Sequence, residues 1–118
     1  MNIQSLSFND IKETVNNTVF NYAHKDRIAK IGLFGSFARG DVTDDSDLDF
    51  VIDFRYKHSE DTAELISEVE RKYQFDEMLQ NAFSPIELSI VTADGLIYAG
   101  SNFNKQLNKD VIWLYEQK

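Results

Sequence analysis

The chain has 118 residues, 42% of them hydrophobic, which suits one core and a single domain over 1–118. Twelve basic residues against twenty acidic ones leave a net charge of −8. That speaks against direct nucleic-acid binding, whose affinity rests on Lys and Arg meeting phosphate. No apolar run approaches the roughly 20 residues of a membrane span, the first residues lack the plan of a signal peptide, and the absence of Cys removes disulfides and thiolate zinc sites, so a cytoplasmic setting is expected.

In chain order, Ser7 and Asp10 read as the cap of a helix that continues to about Ala23 through Ile11, Val15, Val19 and Tyr22. After the polar break at His24-Lys25-Asp26, the run Ile28 to Phe34 alternates as a strand, with Ile31 and Leu33 on one face. Gly35-Ser36 ends it, and Phe37-Ala38-Arg39 make a helical turn that Gly40 stops. Asp47 to Asp53 is a second strand, with Leu48, Phe50 and Ile52 on one side and Asp47, Asp49, Val51 and Asp53 on the other. A long amphipathic helix is predicted from Glu60 to about Leu79, buried through Leu65, Ile66, Val69 and Tyr73. A third strand is predicted over Ile86 to Val91, with Glu87 and Ser89 facing away from the core. Phe103, Leu107, Val111, Leu114 and Tyr115 read as the stripe of a final helix. The order fits an α/β sandwich (α+β), a small mixed sheet with helices packed on one face and carboxylates on the other.

Two carboxylates two residues apart on a strand point to one side, about 7 Å apart along the backbone. Asp47 and Asp49 so placed can share one or two divalent ions, and magnesium takes such oxygen ligands together with substrate phosphate. Gly35 lets backbone come close to phosphate, Ser36 offers a hydroxyl and an N–H at the start of a helical turn, and Arg39 can pair with a triphosphate.

Gly35-Ser36, ten intervening residues, then Asp47-Leu48-Asp49 resembles the signature of the DNA polymerase β-like nucleotidyltransferases. The longer stretches Phe34 to Asp41 and Ser46 to Asp49 resemble the minimal nucleotidyltransferases, small single domains that often serve as antitoxins of HEPN toxins. The resemblance implies that Ser36 holds phosphate and that Asp47 and Asp49 ligate magnesium, two ions in all. Glu87 stands where the family has a third carboxylate, usually Asp, that also helps deprotonate the acceptor. It further implies transfer of AMP from ATP to a hydroxyl, tyrosine's, on a HEPN ribonuclease. So short a chain leaves little surface to grip an acceptor, which suits one presented by another protein, in a homo- or hetero-oligomer.

Plainer readings stand beside these. Asp47 and Asp49 alone would be the polar face of an edge strand, Glu87 a solvated strand residue, and Arg39 a helix cap near Asp41 or Asp44. Asp53 reads as surface, His24 and His58 as solvated loop residues, and Trp113 and Tyr115 as core. Ile97-Tyr98 reads as core before it reads as a wall for the nucleotide base. An alternative function is a non-catalytic antitoxin that masks its partner by contact, its acidic surface complementing a basic cleft.

Overall fold

Period-two alternation of apolar residues builds the sheet. In the computed structural model, which describes residues 2–92 and 109–117, four strands form it: β1 (Ile28–Phe34), β2 (Leu48–Phe54), β3 (Leu88–Thr92) and β4 (Ile112–Glu116), in the order β3-β2-β1-β4. β1 pairs antiparallel with β2 and with β4, whereas β2 and β3 run parallel, so the sheet is mixed as expected. Three α-helices are described in full, α1 (Phe8–Asn21), α2 (Gly35–Arg39) and α3 (Thr62–Phe83), and residues 109–110 are helical as well.

α1 starts at a capping box: the Asp10 N–H donates to Ser7 Oγ at 3.0 Å, and the Ser7 N–H donates to Asp10 Oδ2 at 3.2 Å. Its buried stripe of Ile11, Val15 and Val19 meets Ile31 and Leu33 of β1, Leu48, Phe50 and Ile52 of β2, and Phe75, Leu79 and Phe83 of α3. Each such side chain, fully withdrawn from water, contributes roughly 1.5–3 kcal/mol. On the opposite face Val51 is covered by Phe34, Val91 and Val111. That face also carries Asp49.

Two expectations are corrected. The first concerns α3, which is buried through Glu68, Phe75, Leu79 and Phe83. Leu65, Ile66, Val69 and Tyr73 are exposed instead, Tyr73 at 64%. The helix has 22 residues against 7 in β2, about 33 Å against about 23 Å, so its N-terminal half overhangs the sheet. There the core-facing position is Glu68, locked by Arg27 (Nε to Oε2, 3.0 Å; Nη2 to Oε1, 2.9 Å) and by Arg71 (2.8 Å).

The second concerns the final helix. Residues Ile112–Glu116 are a strand, paired through Ile112↔Leu33 and Tyr115↔Ile31. Within it Leu114 is buried, while Trp113 is 44% exposed rather than in the core. Phe103, Leu107, Ile97 and Tyr98 lie outside the described residues. β3 begins at Leu88 rather than Ile86, which leaves Glu87 exposed just ahead of the strand. Among the described residues no helix is long and apolar enough to cross a membrane.

Candidate active site

The site is made where β1 runs out. Gly35 has φ 75°, a left-handed backbone that swings the chain from the sheet into α2. Gly40, at φ 81°, ends that helix five residues later with its N–H on the Phe37 and Ser36 carbonyls. Asp49 lies across from Phe34 in the β1–β2 ladder, which sets its carboxylate against the bare Cα of Gly35. A Cβ at position 35 would overlap that carboxylate, so glycine is required there twice over.

Asp47 arrives through a turn that sequence reasoning missed. The Thr43 N–H donates to Ser46 Oγ at 2.9 Å, and the Ser46 N–H donates to the Thr43 carbonyl at 3.1 Å. A hydroxyl residue three positions after another is the signal that would have found it. The next residue, Leu48, donates its N–H to the Glu87 carbonyl at 3.1 Å. With the parallel register Leu48↔Leu88 and Asp49↔Ser89, Glu87 falls beside Asp47. Both line a cleft of about 420 Å³ together with Asn2, Asp44 and Asp45. Asp49, Ser36 and Arg39 do not line it.

Asp49 is half-buried, and burial pushes its carboxyl pKa up; the negative charge of Asp47 pushes the same way, and Arg39 opposes both. Arg39 Nη1 lies 3.3 Å from Asp110 Oδ2, and its Nε lies 3.5 Å from Asp41 Oδ2. The bond to Asp110 is the main reason its guanidinium holds its proton more firmly. Asp110 stands just ahead of β4, far from Arg39 in sequence, and no local pattern announces it.

The structure therefore sets Asp49 against Gly35, next to Ser36 in the chain, with Asp47 near enough to act on Asp49 by its charge, Arg39 a turn away and Glu87 beside Asp47 on the neighbouring strand's approach. Among the described residues no three carboxylate or imidazole side chains converge on one metal position. The donor set nevertheless fits a divalent cation. Two hard oxygen ligands repel one another, one of them half-desolvated, and a cation relieves both penalties.

Comparison with known proteins bears on the family and the fold. A Methanocaldococcus jannaschii protein whose name provisionally assigns it protein adenylyltransferase activity is 52% identical over 50 residues, 39% of this chain. The match spans about half (48%) of that relative. Among solved structures, a toxin–antitoxin crystallised with AMP-PNP superposes with a TM-score of 0.58 at 16% identity, covering 91% of this chain and 74% of that one. A structure described as a minimal nucleotidyltransferase gives 0.56 at 19% identity, over 92% and 96% of the two chains. These likenesses establish the shared fold. The family described as "Nucleotidyltransferase domain" matches residues 17–111, and the chain belongs to that family of enzymes.

Proposed function

We propose that the chain, acting as a single domain in the cytoplasm, transfers AMP from ATP to a tyrosine hydroxyl on a partner protein. The partner is a HEPN-type toxin that the modification silences. The observation that carries this reading is the Asp49 carboxylate seated on Gly35, one residue from Ser36 and alongside the charge of Asp47. The solved structures of the same fold include toxin–antitoxin pairs, one of them with AMP-PNP, which makes ATP and a toxin the first donor and acceptor to test.

In this reading Ser36 and the Gly35 backbone grip the triphosphate, and Arg39 exchanges part of its contact with Asp41 and Asp110 for phosphate oxygens. Asp47 and Asp49, with Glu87 as the third carboxylate, would hold magnesium, which supplies positive charge to the triphosphate and to the pyrophosphate as it leaves. The acceptor oxygen bonds to the α-phosphorus as the bond from that phosphorus to the bridging oxygen of pyrophosphate breaks. A carboxylate of the set takes the hydroxyl proton, directly or through water. Adenylate on the partner adds bulk and negative charge where RNA phosphate would bind.

The net charge of −8 favours a second reading, masking of a basic partner by contact alone. One experiment separates the two. The protein is incubated with ATP labelled at the α-phosphate, magnesium and the purified HEPN-type protein. Transfer predicts label on a tyrosine of the partner, abolished by Asp47→Asn with Asp49→Asn. Neutralisation of the toxin by that double variant, without label, would leave masking as the function.

A further inference from the structure

The overhanging half of α3 is an apolar surface that none of the described elements covers. Leu65, Ile66, Val69 and Tyr73 follow one another at helical spacing and are 42–64% exposed. Val69 and Tyr73 share their side of the helix with Gln80. The Gln80 amide bridges the Ile86 carbonyl (2.7 Å) and the Leu88 N–H (3.2 Å), so this side looks toward β3, an outer strand of the sheet. α1 packs against another flank, where Tyr22 donates its hydroxyl proton to the Arg71 carbonyl. Four large apolar side chains standing together in water make a contiguous patch of the kind that often serves an interaction.

The charges around the stripe select its occupant. The helix's two cations are consumed within the fold, Arg71 by Glu68 and Lys72 by Asp76. Glu64, Glu70 and Glu77 are exposed and form no ion pair among the described residues. Glu70 and Glu77 stand one turn after Ile66 and Tyr73, on the border of the stripe. A second copy of this chain would bring the same uncompensated carboxylates against these, and like charges across an interface cost affinity. A protein whose apolar contact surface is rimmed by Lys and Arg would gain on both counts.

We propose that Leu65, Ile66, Val69 and Tyr73, with Glu70 and Glu77, form the docking surface for the basic acceptor protein. The inference rests on the transfer reading above and names where the acceptor is held. Val69 lies roughly 20 Å along the helix axis from Phe83, where α3 returns toward Asp47. The acceptor is thus held at one end of the sheet while its hydroxyl reaches the carboxylates at the other. Docking and chemistry occupy separate surfaces.

The test measures binding of the purified HEPN-type toxin by sedimentation at several salt concentrations, with no ATP present. Ile66→Asp with Tyr73→Asp is expected to weaken binding at least tenfold at unchanged Tm, since both side chains are already in water. Glu70→Lys with Glu77→Lys is expected to weaken it at low salt and to flatten its salt dependence. Asp47→Asn with Asp49→Asn binds as the wild type does. Three results overturn the proposal: unchanged affinity in both surface variants, no complex with the wild type, or a wild-type dimer that Ile66→Asp with Tyr73→Asp abolishes. Binding through the stripe without any transfer of adenylate would count against the enzymatic reading alone.

Discussion

At the scale of single residues, the site turns on what surrounds one carboxylate. A methyl group at position 35 would strike Asp49 and would also force a side chain into a left-handed backbone. Gly35→Ala is therefore expected to cost about 1–2 kcal/mol of stability. It should also reduce transfer at least a hundredfold, read as Tm and initial rate on the same preparation. Asp49 itself is held at a cost to the fold. Its native pKa is raised above the ordinary 3.8 by burial and by Asp47, so its charged form is disfavoured in the folded state. The penalty is absent at pH values below 3.8, grows as the unfolded chain ionises, and is complete above the raised native pKa. Asp49→Asn should consequently match the wild type in acid and equal or exceed its Tm at neutral pH without metal, while losing transfer. A lower Tm at neutral pH would show that burial and Asp47 do not set the energetics of this carboxylate.

At the scale of elements, α3 provides the sharpest contrast between pattern and packing. Leu65, Ile66, Val69 and Tyr73 make a sound amphipathic stripe, yet Phe75, Leu79 and Phe83 are the residues that reach the core. Spacing reveals that a helix has an apolar side, but not whether a sheet lies under each turn of it. Phe75→Ala is expected to cost about 3–5 kcal/mol and Tyr73→Ala less than about 1 kcal/mol, measured by urea unfolding. Equal costs would contradict the assigned face. Glu68 ties the overhanging half to the start of β1. The Arg27 hydrogen bonds hold its pKa down at about 2 against an ordinary 4.5. Its stabilisation is complete above pH 4.5 and declines as pH falls toward 2. Glu68→Gln should accordingly lower Tm at neutral pH and make little difference in strong acid. The strands β1 and β2 were legible because Ile31, Leu33, Leu48, Phe50 and Ile52 alternate without interruption. The strand β4 was not, because Val111, Leu114 and Tyr115 also satisfy helical spacing. The β-branched and aromatic run Ile112-Trp113-Leu114-Tyr115 was the better guide.

At the scale of the whole molecule, the placement of chemistry follows from which face of the sheet α1 and α3 cover. α1 and α3 cover one side through a common core, and the aspartates emerge at the other, where β1 ends and β2 begins. The Gly35-Ser36 turn and the strand that carries Asp49 could be read from residues alone, since their parts are local and their spacing is fixed. Asp110, Arg39's partner from the approach to β4, could not, because the long-range β1–β4 pairing brings it there. Glu87 is intermediate: its position next to Asp47 follows from register, while its approach to the two aspartates depends on its exposed side chain. The most direct measurement of the central claim is calorimetric titration of magnesium with AMP-PNP into the wild type and into Asp47→Asn with Asp49→Asn. Saturable one-site binding by the wild type, weakened at least tenfold in the double variant with no loss of Tm, is the predicted result; equal affinity in the two proteins would contradict it.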